Sequence, residues 1–192
     1  MSRVHVVYAH PSPHSFTREV LDAFLSGVAS YTLSDLYASG FPAVMTAAEY
    51  ARAPDDPVPA DVATEQASLA AAEVWAFVYP VWWADCPAVL KGWFDRVWTT
   101  GWAYRPMRLR PVRRAIVLCT AGYEIADLEA TGHYQAMRAV MLGDRIGGRA
   151  ESSEFVLLGG SVLAGTDRDG WAARKAAHLE HAAELGRSTR AG

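Results

Sequence analysis

Residues 79–104 read YPVWWADCPAVLKGWFDRVWTTGWAY. They follow an apolar run, residues 73–78 (EVWAFV), that has the pattern of a buried strand. The strand pattern ends at Pro80, and Val81, Trp82 and Trp83 come next. A helix pattern starts near Pro87, a residue tolerated in a first turn. An aromatic loop at the carboxyl end of a buried strand, just before a helix, is where open α/β sheets bind planar ligands. Trp82 and Trp83 are adjacent in a loop, so both cannot point into one core. At least one is expected to line a ligand pocket. Trp93 and Trp98 fall on the following helix and are expected in the core or an interface.

Two other loops carry complementary chemistry. Residues 10–17 (HPSPHSFT) contain neither GxGxxG nor GxxxxGK[ST], so a dinucleotide fingerprint and a P-loop are both absent. They offer the hydroxyls of Ser12, Ser15 and Thr17, two histidines and the N–H groups of a helix start. Such groups hold a phosphate through hydrogen bonds and the positive end of the helix dipole. Ser15 suits an ordinary N-cap equally well. The third loop, Thr120-Ala121-Gly122-Tyr123, has small residues that let backbone approach a flat ring while the phenol bonds its polar edge. A plain turn with an exposed tyrosine fits those four residues too. Together the loops supply a phosphate cradle, a stacking wall and a polar edge. A flavin nucleotide needs all three, and its ring brings the electron chemistry, so few catalytic side chains are required.

The elements that must position these loops alternate. Residues 3–9, 31–36, 73–79, 114–120 and 155–158 read as strands. Helices are expected over 15–28, 61–72 with Asp61 as N-cap, 88–98, 134–146 and 169–185. Thr46 to Glu49 has capping-box spacing. Several strands are apolar throughout, which means a parallel sheet covered on both faces. The expected fold is α/β: a flavodoxin-like three-layer sandwich with a five-stranded parallel sheet in the order 2-1-3-4-5. The loops after strands one, three and four then meet at one edge.

The chain has 192 residues, read as one domain over 1–192. Hydrophobic residues make up 51%, enough for a filled core. A net charge of −3 gives no reason to propose a nucleic-acid partner. No uncharged run is long enough to span a membrane, and no signal-peptide core is present, so the cytoplasm is the default. Cys86 and Cys119 are too far apart for a zinc motif. His178 and His181 stand at i,i+3 without a further ligand and fit a solvated face, so no metal site is expected. Residues 167–170 (DRDG) lack the distal glutamate of a calcium loop and fit a helix start.

The stretches AHPSPHSF (9–16), SDLYASGF (34–41) and YPVWWADCPAVLKGWFDRV (79–97) resemble the flavodoxin-like NAD(P)H:quinone oxidoreductase family. That group includes DT-diaphorase, the bacterial modulators of drug activity and the ancillary flavoproteins of potassium efflux. The similarity weakens after about Gly122. It implies a homodimer that binds FAD, with FMN as the alternative. The implied reaction is two-electron ping-pong reduction of quinones by NAD(P)H, which enters as co-substrate. In the family's pattern, His10, Ser15, Phe16 and Thr17 match positions that hold the flavin phosphates and ribityl chain. Pro80, Val81, Trp82 and Trp83 match the loop against the isoalloxazine. Thr120, Ala121 and Gly122 stand where the family has a Thr-Gly-Gly type turn. Asp95 matches an acidic position near the cofactor, and Tyr104 an aromatic that lines the nicotinamide and quinone site. Gly132-His133-Tyr134 approximates the stretch with the family's catalytic-site histidine. Tyr104, Tyr123 and His133 are thus the candidate catalytic groups, bonding the substrate or the flavin's polar edge. Two alternatives are a flavin-bound regulatory subunit of a membrane transporter and a reductase of nitro or azo compounds.

Overall fold

Strands buried at every residue can only sit inside a sheet covered on both faces. In the computed structural model, which describes residues 3–190, β1 (Val4–Tyr8) and β3 (Val74–Pro80) are such strands. With β2 (Tyr31–Asp35), β4 (Val112–Thr120) and β5 (Ala150–Leu158) they form a parallel sheet in the order β2-β1-β3-β4-β5. Tyr8 pairs with Val78, and Pro80 with Thr120. The carboxyl ends of β1, β3 and β4 are therefore nearly level. The chain switches direction across the sheet between β1 and β3, the place where such sheets open a crevice.

Helices cover both faces. Helix α1 (Phe16–Gly27) and α7 (Arg168–Ser188) bury Val20, Phe24 and Leu185 against Val6, Val78 and Leu118. They cross closely, because a Cβ on Gly186 would sit 2.1 Å from the Phe24 carbonyl oxygen, and one on Gly27 2.3 Å from that of Ala183. On the opposite face α3 (Ala60–Ala70) and α4 (Ala88–Val97) lie over Trp75, Phe77 and Tyr79. Trp93 and Trp98 are core residues there, as expected for that helix. Short helices α2 (Ala47–Ala51), α5 (Ile125–Ala130) and α6 (His133–Arg138) and a π-helical segment, Ala139–Ile146, complete this layer. Among the described residues no helix is long and apolar enough to cross a membrane.

Several elements differ from expectation for physical reasons. Asp61 does not cap α3; Pro59 stands at that position, and the Asp61 carboxylate is taken by Arg96 at 2.5 and 3.2 Å. The single helix expected over 134–146 is α6 continued by π-helical turns, and α5 precedes it. β5 begins five residues before 155, in a polar stretch that an edge strand tolerates because one side faces solvent. The capping box of Thr46 and Glu49 is present in both directions. Asp167 opens α7 by accepting from Gly170 N–H at 3.0 Å.

Arg96 ties α2, α3 and α4 together. It is buried and donates to Glu49 at 2.7 Å, to Asp61, and to the Pro42 carbonyl at 2.8 Å. Burial opposes ionisation of Glu49, but Thr46 and the guanidinium outweigh it and hold its carboxyl below the usual range. At Asp61 the Arg96 bond leads the same downward shift, against burial. Such carboxyls bind fewer protons folded than unfolded. Their contribution is complete above the ordinary carboxylate range and is lost as pH falls through the lowered values. Stability is therefore expected to drop below about pH 4. Arg96→Met should cost about 3 kcal/mol near neutral pH and flatten that acid limb. Urea unfolding across the acid range measures both.

Candidate functional site

Three loops meet where β1, β3 and β4 end. Thr17 and Thr120 share a buried hydroxyl–hydroxyl bond of 2.8 Å, which joins the first turn of α1 to the last residue of β4. Val81 N–H donates to the Thr120 carbonyl at 2.7 Å, so the second loop is tied to the third. The His10 ring lies 6.2 Å from that of Trp82. The structure thus gathers His10, Ser15, Phe16, Thr17, Pro80, Val81, Trp82, Trp83, Thr120, Ala121 and Gly122 along one edge.

The first loop is set by its own side chains. His10 Nδ1 lies 3.0 Å from Ser12 N and accepts its proton, and Ser12 Oγ accepts from His14 N–H at 3.1 Å. Ser15 caps α1 through Arg18 N–H. The N–H groups of Phe16 and Thr17, in the first turn, have no intrahelical acceptor. Beneath them the Tyr8 hydroxyl is buried and closes no hydrogen bond. Burial pushes its pKa up, with Ser15 near enough to oppose that but not in bonding geometry. Donors at a helix start above an orphaned buried hydroxyl fit a phosphate with its attached polyol chain.

The second loop is a two-residue hairpin. Trp82 and Asp85 exchange N–H···O bonds of 2.9 and 3.1 Å. The two residues between them, Trp83 and Ala84, have φ of 53° and 57°. Such turns favour Asn-Gly, because both central residues need positive φ. For Trp and Ala the left-handed conformation costs roughly 1–2 kcal/mol per residue. Strain of this kind persists where surroundings over-determine it and clusters at ligand clamps. Trp83 is fully exposed and Trp82 is 41% exposed, so neither belongs to the core. Among the described residues the N–H groups of Trp83 and Ala84 take no backbone or side-chain acceptor.

A fourth segment, missed in the sequence, props the third loop. After β5, Gly160, Ser161 and Val162 donate N–H bonds to the carbonyls of Tyr123, Ala121 and Gly122. Ala121 N–H donates to Leu158. Tyr123 is left exposed at this edge. Two α7 residues also reach this edge. The Phe16 ring meets Trp171 edge-on at 4.9 Å and lies 5.9 Å from His178, whose pKa burial lowers. Trp171 lies 155 residues after Phe16 in the chain, and no local pattern marks it. His178, expected on a solvated face, is instead half-buried, with Nε2 3.0 Å from the Gly159 carbonyl oxygen.

Three candidates are not gathered at the edge within one chain. Asp95 pairs with Lys91 at 2.6 Å on the outer face of α4. Asp95 and Tyr104 both line a groove of about 820 Å³ together with Tyr50, Phe94, Trp98 and Arg149. His133 is exposed at the start of α6, where Thr131 Oγ1 lies 2.8 Å from its Nδ1. The groove's arginines are already engaged, Arg96 with two carboxylates and Arg149 with the carbonyls of Ala103 and Asp144. The three-loop edge instead holds uncommitted donors, an orphaned hydroxyl and exposed indoles. The chemistry of a ligand site is there. Among the described residues no group of three His, Cys, Asp or Glu could hold a metal ion.

The family model for the flavodoxin-like fold matches residues 2–145. An NAD(P)H:quinone oxidoreductase from Methanothermobacter marburgensis superposes with a TM-score of 0.91 at 40% identity, covering 100% of this chain and 97% of that one. An azoreductase from Bacillus anthracis superposes at 0.75 with 20% identity over 98% of this chain and 100% of its own, a likeness of fold. An uncharacterized NAD(P)H oxidoreductase of Haemophilus influenzae is 33% identical over 106 residues, 52% of each chain. A ribosyldihydronicotinamide dehydrogenase (quinone) of Mus musculus is 29% identical over 123 residues, 53% of each. The chain spans about half the length of the curated relatives it matches.

The two thiols should be inert in the folded protein. Burial pushes Cys86 up to about 12, against the nearby Arg145 cation, and raises Cys119 as well. A disulfide reagent at mildly alkaline pH is expected to titrate neither thiol until denaturant is added, and then both. Rapid modification of the native protein would show that the core around β4 is open.

Proposed function

The chain belongs to the flavodoxin-like family, and from that premise we propose that it is a flavin-dependent NAD(P)H oxidoreductase that reduces quinones, built as a single domain and working as a homodimer. One observation carries the reading: the strained tryptophan turn stands beside a helix start at the sheet's switch point. The likeness to the Methanothermobacter marburgensis enzyme over the whole chain supports it.

The residues at the edge fit a flavin. Ser15, Phe16 and Thr17, with His10 beside them, would hold the phosphates and ribityl chain. Pro80, Val81, Trp82 and Trp83 would cover one side of the ring, and Thr120, Ala121 and Gly122 its polar edge. FAD is the proposed form, with FMN the alternative. A bound flavin would supply the two-electron hydride chemistry between NAD(P)H and a quinone.

The chain's own groups orient and polarise. The N–H groups of Trp83 and Ala84 would aim fixed dipoles at the ring's polar edge, where pre-set donors stabilise developing charge. The indoles exclude water from that surface. Tyr123, exposed on the third loop, would donate to a substrate oxygen. Thr131 engages His133 Nδ1, and Nε2, away from the edge in its own chain, would face a substrate in the partner copy's site. Tyr104 lies in the separate groove, so in this reading it serves the partner copy's site. Met45 and Tyr50, 38% and 84% exposed, line that groove and would be covered by the second copy. Asp95 would lie in the same interface. Two buried thiols without a disulfide fit a reducing cytoplasm.

The purified protein should be yellow, with one flavin per chain, identified by mass spectrometry after release. A colourless protein that neither FAD nor FMN turns yellow would refute the reading. Light scattering should give a dimer at micromolar concentration. Tyr104→Phe should keep flavin and dimer and lower kcat/KM for quinone several-fold, the loss of one hydrogen bond of about 1 kcal/mol. Unchanged kinetics with both substrates would remove Tyr104 from the site.

A further inference from the structure

A Trp-Ala pair does not choose a turn with two positive φ angles by itself, so something outside the turn must hold it. The last residue of the turn is Asp85. Its backbone closes the hairpin with Trp82 in both directions. Its carboxylate accepts from Arg145 Nη1 at 2.7 Å and Nη2 at 3.0 Å, and from Cys86 N–H at 2.7 Å. The other end of this clamp is immobile. Arg145 is 5% exposed, in the last turn of the π-helical segment. Its guanidinium lies 5.5 Å from the centre of the Phe94 ring, and its carbonyl accepts from Trp98 Nε1 at 2.6 Å. Among the described residues Asp85 is the one carboxylate that pairs with it. A buried guanidinium whose charge is met by a single carboxylate binds that carboxylate firmly, because losing it would leave the charge uncompensated. The bidentate fork also fixes the direction of approach.

We propose that Arg145 is the positioning residue of the tryptophan turn: through Asp85 it holds Trp83 and Ala84 in the left-handed conformation that offers their N–H groups to the flavin ring. The inference rests on the flavin reading above. Arg145 touches no reacting atom, and it acts only through the shape of the turn. The pairing needs an aspartate two positions after Trp83 and an arginine sixty positions further on.

The test compares Arg145→Lys and Asp85→Asn in the full chain, each alone and each combined with Ala84→Gly. Glycine adopts positive φ without penalty, so with it at position 84 only Trp83 still opposes the turn and the clamp is needed less. Flavin affinity is read by fluorescence quenching on titration with FAD and FMN, and thermal midpoints are recorded alongside. Each single variant is expected to weaken flavin binding about tenfold, the effect of losing part of a charge-assisted pair. Adding Ala84→Gly should restore most of that affinity while leaving the thermal midpoint of the single variant low. A role confined to packing would give the lowered midpoint without the rescue, and would overturn the proposal. So would single variants that bind flavin as the unaltered protein does. If Arg145→Lys fails to fold, Asp85→Asn carries the same comparison, because its side chain is 47% exposed and keeps its shape. Failure of the unaltered protein to bind either flavin would refute the flavin reading itself, a result distinct from failure of the rescue.

Discussion

Every residue of β1 and β3 is buried on both faces, and that burial dictates where chemistry can occur. A parallel strand between two helical layers must be apolar or have its polar groups paired, as His5 of β1 is with Thr32 at 2.8 Å, since an unpaired polar group there costs several kcal/mol. Polar and aromatic side chains with work to do are displaced to the strand ends. The register then decides which ends meet. Pro80 opposite Thr120, and Tyr8 opposite Val78, bring three loops to one edge, and the Thr17–Thr120 hydroxyl bond joins them. The site is a consequence of how the sheet is covered.

Two buried arginines do for the periphery what apolar packing does for the centre. Arg96 gathers α2, α3 and α4 through Glu49 and Asp61. Arg145 joins the π-helical segment to the tryptophan turn through Asp85. Both lie on the same side of the sheet and both border the large groove. Each guanidinium lies over one aromatic ring, Phe41 for Arg96 and Phe94 for Arg145. Desolvation raises the cost of breaking either pair, so the loops they hold are fixed more rigidly than exposed ion pairs would allow.

The sheet was legible in the sequence because its signal is local. Continuous apolar runs gave the strands, the Thr46–Glu49 spacing gave a capping box, and the residues around Trp82 and Trp83 marked the second loop. What escaped depends on contacts far apart in the chain. Asp61 has the local pattern of an N-cap, but Arg96 claims its carboxylate from 35 residues away. Asp85 and Arg145 are 60 residues apart. Trp171 and His178 reach Phe16 only because α7 lies across α1, which Gly27 and Gly186 permit. The π-helical turns and the polar first half of β5 were missed because neither follows the standard helix or buried-strand period. At the site, the loop residues were read from type and position, whereas the left-handed turn at Trp83 and Ala84 has no sequence mark; its residues argue against it.

A crystal structure of the protein with bound flavin tests the account most directly. The phosphate should lie at the N–H groups of residues 15–17 and the ring against Pro80 to Trp83, with the Trp82–Asp85 turn unchanged. Phosphate density away from residues 15–17, or a ring seated away from the tryptophan turn, would contradict it.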